Sequence, residues 1–272
     1  MKRGLFFLVL LVIWAGEGRA DSGSALKTLM TGDDSRGWQA VGRLNIGDDS
    51  FCTGALIAPD LVLTAAHCLF DMKAGTRVSD GQIEFLADWR GGRAAAYRGV
   101  RRSLVHPGFT TAGDDFAARV AYDVAILELD QPIRNSSITP FATEIRPTDG
   151  AAVGVVSYAY DRADSPSLQE VCHVLAHQGA LLVLSCDVDF GSSGAPVFVV
   201  RDGVARIVSL VSAKASIGGQ PVALGTPLQA PLQELMAMRA TGDGVFSKAP
   251  PVVRRLSMSE TQSATGAKFL RP

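Results

Sequence analysis

With 272 residues, 47% of them hydrophobic, the chain can bury a substantial core as one large or two small domains. A formal charge of −1 gives neither the basic footprint of a nucleic-acid binder nor an acidic trap for cationic ligands. Function therefore has to come from local constellations of side chains, with no cofactor, metal or nucleic acid expected.

Met1-Lys2-Arg3 precedes an apolar run from Leu5 to Ala15, with small residues at Gly18 and Ala20. This is the layout of a secretory signal over residues 1–20. The run is short for a bilayer span, and no later stretch approaches the ~18–20 apolar residues of a transmembrane helix. A soluble mature protein, secreted or periplasmic, is expected to begin near Asp21. Four cysteines, an even number, fit two disulfides formed outside the cytoplasm. Their connectivity is not readable from spacing, and the absence of any CxxC pair argues against a metal site.

Residues 21–37 read as an N-terminal segment or short propeptide that ends in the turn chemistry of Gly32 to Gly37. From Trp38 the texture changes to short β-favouring runs at 39–46, 52–58, 61–65, 81–86, 98–105, 124–129, 151–158, 171–176, 181–186, 197–200 and 205–212. Gly, Pro, Asp and Asn separate them, and no amphipathic helix intervenes. That pattern predicts an all-β domain over 38–242 built from antiparallel barrels, and excludes a doubly wound α/β fold. Pro231 to Arg239 is the best helix candidate. Residues 243–272 carry few large apolar side chains and are expected to form a flexible tail, with Arg254, Arg255, Lys268 and Arg271 solvated. No internal repeat stands out.

Three segments carry chemistry. Gly191-Ser192-Ser193-Gly194-Ala195-Pro196 is a tight turn in which two glycines permit positive φ, so one loop can present a hydroxyl and backbone N–H donors together. Leu61-Val62-Leu63-Thr64-Ala65-Ala66-His67-Cys68 places a histidine where a β-run gives way to small residues. Tyr122-Asp123-Val124-Ala125-Ile126-Leu127-Glu128-Leu129 places a carboxylate at the head of an apolar strand, where it needs a donor. Taken singly these read as a surface turn, a structural histidine and a strand-end acid. Asp114, Asp115 and Asp130 read as solvated, and His106, His173 and His177 as non-catalytic.

Together Ala-Ala-His-Cys, Asp-Val-Ala-Ile-Leu and Gly-Ser-Ser-Gly-Ala-Pro resemble, in that chain order, the three signatures of chymotrypsin-like (trypsin-fold) serine proteases. The resemblance runs from Trp38 to Arg239. It implies two packed six-stranded antiparallel β-barrels with a short C-terminal helix, a protein or peptide substrate, and a monomer. It implies His67 as general base, Asp123 as its orienter, Ser193 as nucleophile, and the amides of Gly191 and Ser193 as oxyanion hole. Cys52 is then expected to pair with Cys68, whose runs lead into and out of the His67 corner, and Cys172 with Cys186.

Departures from the family pattern are informative. Trypsins have aspartate before the nucleophile, where it pairs with a new N-terminal amine; here Ser192 is neutral. The loop is therefore expected to be held by hydrogen bonds from Ser192 and by packing of Phe190 and Pro196. Gly32-Asp33-Asp34-Ser35-Arg36 looks like the bacterial branch that includes glutamyl endopeptidases, but that branch's specificity threonine and histidine would fall at Val188 and Val211. Asp187 stands where trypsins hold the carboxylate of the primary pocket, with Ser212 and Lys214 as further substrate-binding candidates. Lys214 is expected to salt-bridge to Asp187 or obstruct the pocket. A non-catalytic binding or adhesion module on the same fold is the second reading.

Overall fold

The computed structural model describes residues 23–113 and 115–242. The expected signal peptide, Asp114 and the expected tail lie outside the described residues.

In the first half, β1 (Val41–Ile46), β2 (Ser50–Ala58), β3 (Leu61–Thr64), β4 (Ile83–Ala87), β5 (Ala96–Val105) and β6 (Ala125–Leu129) close into a barrel, ordered β1-β2-β3-β6-β5-β4. All its pairings are antiparallel. The second half supplies β7 (Ala152–Ala159), β8 (Arg162–Gln178), β9 (Leu181–Leu184), β10 (Pro196–Arg201), β11 (Val204–Ile217) and β12 (Gln220–Pro227). These pair antiparallel in the order β7-β8-β9-β12-β11-β10 and return to β7. The ring closes because β8 is long: Arg162 to His173 pairs with β7, and Val174 to Gln178 pairs with β9. The two halves share one strand order, so an internal repeat exists in the structure that the residues do not display.

Closure removes the sheet edges, and the interior of each ring fills with the aliphatic side chains that alternate along the strands. Between the barrels sits an aromatic cluster: the Phe198 ring on β10 lies 5.0 Å from Trp38 and 4.7 Å from Phe141. Helix α2 (Gln229–Thr241) buries Leu232 and Leu235 against the core. It is also pinned to the first barrel by Arg239, whose Nε donates to the buried Glu128 on β6 at 2.7 Å. Ser24 to Leu29 runs along β8, where Lys27 and Thr28 pair antiparallel with Leu168 and Ser167 and Leu29 is buried. Both disulfides, Cys52–Cys68 and Cys172–Cys186, are formed as expected.

Several elements escaped the sequence reading. Strand β12 is masked by Gly225 and two prolines, Pro221 and Pro227, and the first half of β8 by the polar stretch Asp164-Ser165-Pro166-Ser167. The proline is tolerated because its carbonyl, not a missing N–H, faces the N-terminal segment and accepts from Leu29. Helix α1 (Phe116–Ala121) was also missed. Asp115, read as solvated, caps it by accepting from the Ala118 amide at 2.9 Å.

One residue stitches the barrels together at the cleft. Thr53, fully buried on β2, sends its N–H to the Ser193 carbonyl and its hydroxyl to the Gly191 carbonyl, both at 2.9 Å. Its Oγ1 accepts from the Tyr158 amide at 3.0 Å, and its own carbonyl accepts from the Thr64 hydroxyl at 2.9 Å. A Thr53→Val change keeps the shape but takes this partner from the buried Tyr158 amide and the part-buried Gly191 carbonyl, at about 1–3 kcal/mol for each group left unpaired. Urea unfolding is expected to show that loss; an unchanged midpoint would mean that the two groups find other partners.

Candidate active site

Strand β3 is buried along its whole length, and Ala65 and Ala66 behind it are fully buried, so only small side chains fit where the chain turns out of the barrel. The turn is a single short 3-10 element, Ala66–Leu69, that carries His67, and the Cys52–Cys68 disulfide ties it back to β2. Cys68 and Cys52 approach the imidazole, but their sulfurs are bonded to each other and offer no thiolate to a metal.

Asp123 follows α1 and heads β6, with 2% of its surface exposed. Its carboxylate is nevertheless fully engaged. The His67 amide donates to Oδ1 at 2.8 Å, the His67 Nδ1 lies 2.7 Å from Oδ2, and the Ser212 hydroxyl donates to the same Oδ2. The backbone around it is fixed as well: the His106 N–H donates to the Val124 carbonyl, and the Thr226 hydroxyl donates to the Val120 carbonyl at 2.9 Å. Ser212, named as a substrate-binding candidate, thus commits its hydroxyl to Asp123. Thr53 and Thr226 were not anticipated, and no sequence signal marks a lone threonine in a strand.

The Gly191–Pro196 loop needs its glycines. Gly191 has φ +96° and Gly194 φ +77°; a Cβ on the first would collide with the Phe51 ring, and on the second with Thr64 and the Thr53 carbonyl. Ser192 is fully buried, donates to the Tyr158 carbonyl at 3.2 Å and accepts from the Asp189 amide at 3.3 Å. The expected role of Ser192 and the burial of Pro196 are found. Phe190 is not packed: it is 83% exposed, although its carbonyl accepts from the Tyr160 amide at 2.7 Å. Among the described residues the amides of Gly191 and Ser193 have no acceptor. Ser193 is partly exposed and lines, with His67, a cleft of about 720 Å³.

The expected pairing of Lys214 with Asp187 is not formed. Lys214 Nζ lies 3.5 Å from Asp189 instead, while the Asp187 side chain is exposed and its amide donates to Gln169. Backbone direction decides this, since the Asp189 carboxylate also receives the Phe190 amide and so faces the turn. Val188 and Val211 are both buried. Two of the remaining three histidines serve elsewhere: His106 is buried, bonded to Glu234 on α2 at 3.0 Å and stacked on Tyr122, and His177 bonds Asp149.

Residues 30–224 match the Trypsin family model. The chain belongs to the trypsin family. Among curated relatives of this family member are a glutamyl endopeptidase of Bacillus licheniformis, 25% identical over 65% of this chain, and serine protease 23 of Bos taurus, 26% identical over 69%. The chain spans 54% and 56% of their lengths. A solved Glu endopeptidase structure superposes with a TM-score of 0.66 at 19% identity, covering 82% of this chain and 98% of its own. A thermostable serine protease, AL20, gives 0.61 at 16% identity over 75% of this chain and 97% of its own. At those identities the structural likeness shows the fold.

Burial pulls the His67 imidazole down, but the attraction of Asp123 and the hydrogen bond to it outweigh burial and hold the pKa above its ordinary 6.5. A pKa raised on folding stabilises the fold below the unfolded value, and that contribution is lost as pH rises through the folded one. An NMR titration of the His67 ring is expected to give a midpoint above 6.5. Asp123→Asn, which removes the opposing charge and lets burial dominate, is expected to lower it; an unmoved midpoint would mean that Asp123 does not set the imidazole's charge.

Proposed function

We propose that the chain is a secreted serine endopeptidase that cleaves peptide bonds through Ser193, His67 and Asp123. The observation that carries this reading is the buried Asp123 carboxylate held on the Nδ1 side of an imidazole that lines the same cleft as Ser193. A serine hydroxyl is a weak nucleophile at neutral pH. His67 takes its proton through Nε2 as Oγ bonds to the scissile carbonyl carbon, and Asp123 fixes the tautomer and offsets the imidazolium charge. The unpaired amides of Gly191 and Ser193 receive the oxyanion, a contribution of about 3–4 kcal/mol when one such donor is lost. The imidazolium then protonates the leaving amine, and water releases the acyl group by the same steps reversed.

Replacing Ser193 or His67 with alanine is expected to abolish peptidase activity without unfolding the protein, since triad members act as a unit. Protein beginning at Asp21 is expected to react with a fluorophosphonate at Ser193 without prior cleavage, because the neutral, buried Ser192 satisfies its loop locally and offers no charge to a new N-terminus. Full activity in Ser193→Ala would refute the assignment, and inertness until a cut between Lys27 and Arg36 would refute the activation reading.

On the acyl side, a preference for Arg or Lys before the scissile bond rests on Asp187, which Lys214 leaves unpaired by binding Asp189. Of peptides with Arg, Glu and Phe at that place, the Arg peptide is expected to be cleaved fastest; equal rates would remove Asp187 from the pocket.

A further inference from the structure

Two aromatic side chains of the second barrel stand out by exposure: Phe190 at 83% and Tyr160 at 82%. Large aromatic rings in water are costly unless something covers them at work. They are neighbours, since the Tyr160 amide donates to the Phe190 carbonyl, and both line the cleft shared by His67 and Ser193. Phe51, held beneath the Arg43 guanidinium at 4.3 Å, and the half-exposed Met72 line the same cleft.

Which half of a substrate this cleft receives follows from proton transfer. His67 delivers its proton to the leaving amine, so the leaving segment must lie on the side of Ser193 that the imidazole faces. The cleft extends that way, past His67 and the Cys52–Cys68 bridge to Asp48, Asp49 and Asp71 of the first barrel. None of the acyl-side candidates, Asp187, Ser212 and Lys214, lines it. The charge on its far wall is three carboxylates against one lysine, Lys73, which disfavours an acidic leaving segment.

Resting on the peptidase reading, we propose that Tyr160 and Phe190 select a large apolar side chain immediately after the scissile bond, followed by a neutral or cationic residue. The rings supply the apolar surface that such a side chain covers as the acyl-enzyme forms, and that an incoming amine covers in the reverse step.

Aminolysis tests this apart from acyl-side specificity. A single ester substrate loads the same acyl group onto Ser193, and amino-acid amides then compete with water for it. Phenylalaninamide is expected to capture the acyl group about tenfold better than glycinamide, roughly the yield of partly covering one aromatic side chain. Of two dipeptide amides, Phe-Arg is expected to exceed Phe-Glu. Tyr160→Ala and Phe190→Ala, singly and together, should bring the Phe/Gly ratio toward one, and both side chains are exposed enough for the variants to fold. Equal capture of the two amides by the natural protein, or an unchanged ratio in the double variant, would overturn the inference and leave the peptidase reading intact. A natural protein that never turns over the ester would overturn both.

Discussion

The structure depends on a buried negative charge that must not go unpaired. Asp123 is almost wholly removed from water, and an isolated carboxylate there would cost several kcal/mol. Its donors come from both halves of the molecule: the amide and ring of His67 from the first barrel, and the hydroxyl of Ser212 from β11 of the second. Satisfying the charge and aligning the imidazole are thus one act. If the barrels shifted by an ångström, the carboxylate would lose Ser212 and keep only His67, which shares the first barrel with it.

The interface between the barrels is built to prevent that shift. Thr53 ties β2 of the first barrel to the carbonyls of Gly191 and Ser193 and to the amide of Tyr158. The aromatic cluster of Trp38, Phe141 and Phe198 fills the gap with apolar area that only fits in one register. Helix α2 adds a third tie, since Arg239 meets the buried Glu128, which also takes Arg101 at 3.0 Å. Burial alone would push the Glu128 carboxyl up; the hydrogen bonds from Arg239 and Arg101 overcome it and hold the pKa below its ordinary value.

Local rigidity and exposed side chains coexist in the Gly191–Pro196 loop. Its backbone is pinned through Ser192, Gly194 and Ala195, with the Gly194 amide donating to the Val211 carbonyl at 2.8 Å and the Ala195 carbonyl accepting from the Val211 amide at 2.9 Å. The Phe190 side chain, by contrast, points into solvent. Trypsins order the corresponding loop with a buried ion pair. Here a neutral hydroxyl and a strand edge do so, which avoids the desolvation of two charges.

The sequence by itself determined the class of the fold, its C-terminal helix and the three residue types of the candidate site. Alternating apolar runs report burial locally, and a glycine-flanked serine, a histidine after small residues and an aspartate at the head of an apolar strand are each local patterns. Tertiary structure alone decided what lies between distant segments. The hydroxyl of Ser212 on Asp123 joins residues 89 positions apart, and the bonds of Thr53 to Gly191 and Tyr158 span 138 and 105. It decided that Lys214 meets Asp189 and not Asp187, because two alternate positions on one turn point in directions set by its hydrogen bonds. It decided too that Phe190 faces water, although an aromatic beside a buried serine reads as core. Such pairings depend on register and direction in space, which short-range patterns do not encode.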